Sequence, residues 1–370
     1  MKELTVRPDI YRFEQCEDFA AQFALGKDDL IITNEYIFEP YFGSLHLPSQ
    51  IIHLEKYGTG EPTDDMVEAL YRDITRPYTR VVAIGGGTVL DVGKVFSLKN
   101  IHPVLKLYDN MDNLEREKKL VLVPTTCGTG SEVTNIAILS LVSLGTKKGL
   151  AVDCLYADQA VLIPRLLEKL PFKVFAASSI DALIHSVESS LSPKRNGTTL
   201  LFGYRAIEII LNGYREIAKN GPDARFSLLP EFLRASNYAG IAFGNAGCAA
   251  VHALSYPLGA AYRVPHGESN YAVFIGVMKN YMELKRDGPI DRLNTYMAAL
   301  LGCKKTAVYG ELEKLLSHLI ERKPLSAYGV TRDEIVTFTD SVLANQQRLL
   351  ANNFVPLDRD RILKIYRELY

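Results

Sequence analysis

Apolar positions fall into two textures along the chain. Up to residue 164 they come as short continuous runs: "DLIITN" (29–34), "RVVAIGG" (80–86), "KLVLVPTT" (119–126) and "QAVLIP" (159–164). Runs this short, bounded by polar, Gly or Pro residues, predict strands buried on both faces. Stretches such as "PTDDMVEALYRDI" (62–74) separate them and read as helices. Strands alternating with helices predict an α/β domain over 1–164, built on a parallel sheet of nucleotide-binding type. Beyond Pro164 the texture changes to long segments with apolar residues every three to four positions, among them "TTLLFGYRAIEIILNGYREIAKNG" and "VYGELEKLLSHLIERKP". An all-helical domain over 165–370 is expected. No internal repeat or low-complexity tract interrupts either half.

Composition narrows the partners. With 370 residues, 47% of them hydrophobic, the chain is long enough for two domains and a well-buried core. Lys plus Arg number 42 against 43 Asp plus Glu, so no charge excess points to nucleic acid or an anionic membrane, and a small-molecule substrate is expected. Five scattered cysteines without a CxxC pair argue against both a disulfide framework and a thiolate zinc site. The N-terminal "MKELTVRPDIYRFEQ" is too polar for a signal peptide, and no apolar run approaches the ~18 residues that span a bilayer. A cytoplasmic location follows as the expectation.

Two loops after predicted strands carry candidate anion-binding chemistry. In "VVAIGGGTVLDVGK" (81–94), Gly85, Gly86 and Gly87 stand between a strand and a helix beginning near Thr88, which suits an N-cap. Glycines there admit a pyrophosphate close to the backbone, and the free N–H groups of the helix start bind it. The same sequence also suits a plain tight turn, since it lacks the GxGxxG spacing. "VPTTCGTGSEVTN" (123–135) follows another strand and gathers Thr125, Thr126, Thr129 and Ser131 among glycines. Such a loop lies where open α/β sheets bind ligands, beyond the carboxyl ends of parallel strands.

The helical half holds a second constellation. In "SSIDALIHSVESS" (178–190) Asp181 and His185 lie four apart and share a helix face, whether to grip an ion or to bond each other. "VHALSYPLGAAYRVPHGESN" (251–270) adds His252 and His266. Three imidazoles among small and apolar neighbours without partners would be costly. One carboxylate with three imidazoles suits a divalent first-row ion with an open position, and ligand type alone does not choose between Fe²⁺ and Zn²⁺. The remaining His46, His53, His102 and His318 have no companions at a suggestive spacing.

These segments resemble the iron-containing (group III) alcohol dehydrogenase family, whose fold shares its two-domain plan with dehydroquinate synthase. "GGGTVLDVGK" resembles the family's GGGSxxDxxK loop, "VPTTCGTGSEVT" its PTTxGTGSE segment, and "DALIHSVES" with "HALSYPLGAAYRVPHG" its metal-binding stretches. The similarity runs from about residue 5 to the C-terminus. It implies an NAD-linked oxidoreductase with a divalent metal, Fe²⁺ before Zn²⁺, and a homo-oligomeric assembly, a dimer. Metal ligands would be Asp181, His185, His252 and His266. The pyrophosphate loop would comprise Gly86, Gly87, Thr88 and Asp91, and further cofactor contacts Thr125, Thr126, Thr129, Ser131 and Lys147. Within the family the resemblance is greatest to the branch that interconverts 4-hydroxybutyrate and succinate semialdehyde. A dehydrogenase for neutral short-chain alcohols or diols is the near alternative, and a metal- and NAD-dependent lyase of the dehydroquinate synthase type the distant one.

Some positions depart from the family pattern. Asn34 stands where many members carry the aspartate that bonds the adenosine ribose, and it repels a phosphate less than a carboxylate does. NAD is still the expected cofactor. Glu61 replaces the usual asparagine before Pro62. Tyr256 occupies the place of an additional histidine linked to proton movement, and serves either as a hydroxyl donor or as a packed aromatic. Arg263, three residues before His266, is either a clamp for a substrate carboxylate or a surface residue. The reaction is expected where the two domains meet, with the pyrophosphate on the sheet and the metal on the helices.

Overall fold

The apolar runs are buried along nearly their whole length, and this forces their backbone groups into a shared ladder. A computed structural model, describing residues 2–144 and 146–370, has strands β1 (Asp9–Arg12), β2 (Asp29–Thr33), β3 (Gln50–His53), β4 (Arg80–Gly85), β5 (Lys119–Pro124), β6 (Ile136–Leu141), β7 (Thr146–Ala151) and β8 (Gln159–Leu162). Six form one sheet in the order β1-β8-β5-β4-β2-β3, and every neighbouring pair is parallel. Helices α1 (Cys16–Gln22), α2 (Glu35–Phe42), α3 (Asp64–Arg72) and α4 (Gly87–Phe96) connect them. The four strands expected from sequence are β2, β4, β5 and β8. The edge strands β1 and β3 were not expected, because β1 is largely exposed and shows no apolar run.

The order of strands sets out the ligand edge. In register, Gly85 at the end of β4 pairs with Pro124 at the end of β5, and Thr33 at the end of β2 pairs with His53 at the end of β3. The carboxyl ends of β5, β4, β2 and β3 therefore emerge side by side. β6 and β7 form a separate antiparallel pair, with Ala137, Leu139 and Leu141 of β6 buried in the same core as α4. Gly93 of α4 allows that helix to seat on the sheet, since a Cβ there would fall 2.5 Å from the Ala83 Cβ.

Beyond Pro171 the chain is helical, beginning with α5 (Phe172–Leu191), α6 (Gly197–Asn220), α7 (Leu229–Ala246), α8 (Ala250–Tyr262) and α9 (His266–Leu284). Nearly all of α5 from Ser179 onward is buried, because α6, α7 and α9 all pack on it. Small residues permit the close approach: Gly203 of α6 lies against Ser190 and Ser186, and Gly213 against Phe232. Contacts divide the chain into Val6–Leu170 and a second unit of Pro171–Tyr370 plus the N-terminal segment up to Thr5. The division thus falls later than residue 164. The N-terminal segment joins the helices because Asn245 bonds Thr5 at both its N–H and its C=O (2.7 and 3.0 Å) and Asn196 donates to the Glu3 carbonyl. No helix among the described residues is long and apolar enough to cross a membrane.

Candidate metal centre and dinucleotide loops

Asp181 and His185 lie one turn apart on α5, His252 projects from the first turn of α8, and His266 opens α9. Their ligand atoms all fall within 4.8 Å of one another. His252 Nε2 is 3.0 Å from His185 Nε2, and Asp181 Oδ1 is 3.7 Å from His252 Nε2 and 3.8 Å from His266 Nε2. Four donors on one ion at bonds of about 2.0–2.2 Å stand roughly 3.3–3.6 Å apart in a tetrahedron. The cluster has close to that spacing. As a pure hydrogen-bond network it is poor, since the carboxylate–imidazole distances exceed bonding range and two imidazole nitrogens face each other. The donor set fits a divalent cation.

A surrounding layer aims these donors. Glu188, two turns beyond Asp181 on the same face of α5, accepts from the Val251 N–H (2.6 Å) and engages His252 Nδ1 (2.6 Å). The proton on Nδ1 leaves the Nε2 lone pair facing His185 and Asp181, the usual role of a carboxylate behind a metal-binding histidine. Cys248 is buried beside the same ring, and burial pushes its thiol pKa up, so it stays neutral. Asn270, one turn after His266, donates to Asp181 Oδ1 (2.7 Å) and lies 3.2 Å from His266 Nε2. Ser255 donates to the Asn270 carbonyl and so fixes the amide's orientation. The His185 ring stacks on Phe243 with centroids 4.0 Å apart. Gly267 is sterically required, because a Cβ would lie 2.3 Å from the Ala177 carbonyl oxygen on α5.

Burial and charge are uneven around the centre. Asp181, His185 and His252 are 2–4% exposed, whereas the His266 side chain is 34% exposed. His266 is thus the one candidate ligand left partly open to solvent. Burial pushes the Asp181 carboxyl up, but His185, His266, His252 and the Asn270 amide outweigh it and hold the pKa below the usual range. The site carries a carboxylate.

In the α/β unit, the glycine turn lies as the spacing predicts. Gly86, not Thr88, is the N-cap of α4; Thr88 sits in the first turn and its hydroxyl donates to the Gly60 carbonyl (2.8 Å). Gly87 packs so tightly on Thr129 that a Cβ would lie 2.9 Å from its methyl, joining the two candidate loops. Asp91 accepts from Ser131 Oγ (2.7 Å) and from the Ile138 N–H (3.0 Å), so it braces the second loop. Lys94, fully buried, donates to Ser131 Oγ (2.7 Å), Thr134 Oγ1 (3.1 Å) and the Ile136 carbonyl (2.6 Å). All three of its donors are satisfied. Thr125 is buried and donates its N–H to Gly85 (3.0 Å), while Thr126 and Thr129 are half-buried. Lys147 forms an ion pair with Glu61. Asn34 donates to Glu55 (2.8 Å).

Tyr256 is half-buried, its ring centroid 6.4 Å from that of His266. Arg263 is exposed in the turn between α8 and α9, with φ +53°. Four residues that sequence reasoning missed bond directly to the candidate residues: Glu188, Asn270, Lys94 and Glu55. For the first three a signal existed: each lies three or four positions from a candidate ligand or loop residue on one helix. Glu55 had none, because it meets Asn34 only through strand pairing.

The model of the iron-containing alcohol dehydrogenases matches residues 9–164, and that of the Fe-containing alcohol dehydrogenase family, C-terminal, matches 175–370. The chain is 46% identical over 371 residues, covering 100% of both sequences, to 4-hydroxybutyrate dehydrogenase of Clostridium kluyveri. It is 34% identical to long-chain-alcohol dehydrogenase 1 of Geobacillus thermodenitrificans, over 88% of this chain and 82% of that one. Among solved structures, 1,3-propanediol oxidoreductase superposes with TM-score 0.86 at 21% identity over 100% of each chain. Sulfoacetaldehyde reductase of Bifidobacterium kashiwanohense in complex with NAD⁺ gives 0.84 at 21%, over 100% of this chain and 98% of that one.

Proposed function

Because this chain belongs to the iron-containing alcohol dehydrogenase family, we propose that it interconverts 4-hydroxybutyrate and succinate semialdehyde, with NAD as the hydride carrier. The observation that carries the reading is the buried carboxylate–triple-imidazole cluster, with Glu188 setting the His252 tautomer. Full-length identity of 46% to an enzyme of that name supports the choice of substrate.

Asp181, His185, His252 and His266 would hold the ion. When bound, it supplies Lewis-acid polarisation of the substrate carbonyl, worth several kcal/mol of transition-state stabilisation. His266, half-exposed beside Asp181, marks the side from which the substrate enters. Asn270 keeps Asp181 and His266 oriented, so the donors need little rearrangement during turnover. Tyr256, near His266, carries a hydroxyl for the proton exchanged with the alcohol oxygen. Gly86, Gly87 and Thr88 at the start of α4 bind the pyrophosphate through backbone N–H groups, and the loop from Thr125 to Ser131, braced by Lys94 and Asp91, completes the cofactor edge. Arg263 is proposed as the partner of the substrate carboxylate. The assembly is proposed as a homodimer. A cytoplasmic location is supported by five cysteines that are all unbridged.

The test compares NADH oxidation with succinate semialdehyde and with butanal in the presence of Fe²⁺ or Zn²⁺. A clear preference for the carboxylated aldehyde is expected, and Arg263→Ala should raise its KM while leaving that for butanal alone. Equal kcat/KM for both aldehydes would move the assignment to neutral alcohols.

A further inference from the structure

We infer that Glu55 is the residue by which this chain discriminates against a 2′-phosphorylated dinucleotide, supplying from the end of β3 the carboxylate that the end of β2 lacks. The inference rests on the proposed dinucleotide binding. In a doubly wound sheet the pyrophosphate sits at the glycine turn of one strand, and the adenosine ribose reaches the end of its neighbour, where an acidic side chain reads the 2′-hydroxyl. Here the glycine turn follows β4 and the neighbour on that side is β2, which ends at Thr33 and presents the neutral Asn34. The charge is not absent from this edge. β3 pairs with β2 in parallel, Thr33 opposite His53, and the short 3₁₀ turn Leu54–Lys56 then brings Glu55 level with Asn34.

The contacts show how the pair would act. Glu55 Oε2 accepts from Asn34 Nδ2 (2.8 Å) and Oε1 from the Glu35 N–H (2.6 Å). With Nδ2 committed to Glu55, the amide is held in one orientation and its Oδ1 is the atom offered to a ribose hydroxyl, as a carboxylate oxygen would be. A carboxylate has about four lone-pair sites, so Glu55 retains capacity to accept a further hydroxyl. Partial burial pushes its pKa up, but the backbone N–H groups, the Asn34 amide and His53 more than offset this, so it stays ionised at neutral pH. A phosphate on the 2′-oxygen would therefore meet a fixed negative charge, and like charges brought together at an interface weaken binding.

Glu55 also caps the start of α2 through Glu35, so the test must separate charge repulsion from capping. Dissociation constants of NADH and NADPH, read from nicotinamide fluorescence, do this as a ratio. Wild-type protein should bind NADH more tightly; Glu55→Gln should tighten NADPH by roughly tenfold and narrow the ratio. Asn34→Asp placed in the Glu55→Gln background should restore discrimination by returning a carboxylate to β2. A second measurement needs no variant, since raising ionic strength should narrow the wild-type ratio by screening the repulsion. An unchanged ratio in folded Glu55→Gln, or a wild-type ratio independent of salt, overturns the inference. Wild-type protein that binds neither dinucleotide overturns the dinucleotide reading beneath it, a distinguishable result.

Discussion

His252 faces His185 with 3.0 Å between their Nε2 atoms, a spacing that calls for a proton between the two nitrogens or a cation held beside both. At this scale the centre's behaviour depends on single atoms. His266→Ala removes one of four donors while leaving the three buried ones in place; it should abolish stoichiometric metal and turnover with the circular dichroism spectrum preserved. Elemental analysis of the purified variant decides, and full metal content there would remove His266 from the set. Glu188→Gln is nearly isosteric, but its amide would donate to His252 Nδ1 and drive the ring proton onto Nε2, where a ligand lone pair is needed. Metal affinity should fall about 10–100-fold, whereas Glu188→Asp should retain more of it. Competition with a chromogenic chelator measures both.

At the scale of elements, one glycine governs how close α9 comes to α5. Adding a methyl at Gly267, 2.3 Å from the Ala177 carbonyl oxygen, must push the start of α9 away and carry His266 from Asp181. Gly267→Ala should cost about 1–3 kcal/mol of overpacking strain and lower metal affinity, both visible in thermal melts with and without added ion. Lys94 has the corresponding role in the α/β unit, tying α4 to the loop before β6. Lys94→Met leaves Ser131 and Thr134, and Asp91 whose Oδ1 lies 3.6 Å from the ammonium, without their buried cation, and removing one partner from such a group typically costs about 3–5 kcal/mol. A truncation that destabilises the unit and weakens NADH binding without altering metal content is the expected result; loss of metal instead would contradict the assignment of Lys94 to the cofactor edge.

At the scale of the whole molecule, two ligands are assigned to two separate sets of elements. A ligand that binds only the folded state stabilises it by about 2.7 kcal/mol at a hundredfold excess over Kd, and the gain appears first in the elements that hold it. Hydrogen exchange should show Zn²⁺ protecting α5, α8 and the start of α9, and NADH protecting residues 85–97 and 125–136. Metal-dependent protection confined to the sheet would contradict the placement of the ion. What could be read before folding follows the same division. β2, β4, β5 and β8 were legible because a strand buried on both faces must be apolar throughout; β1 and β3 were not, because an edge strand has little reason to be.

The order of residues alone determined the donor types, the helical spacing of Asp181 and His185, the glycine turn after β4 and the change from alternating to all-helical texture. These depend on contacts within a few positions, where periodicity and residue type act directly. Tertiary structure decided the rest. Glu188 reaches His252 across 64 positions, Asn270 reaches Asp181 across 89, and Glu55 meets Asn34 only because two parallel strands end side by side. Each of those side chains would be an ordinary surface residue in an isolated segment. They acquire a role when packing removes water and leaves a neighbouring polar group in need of a partner.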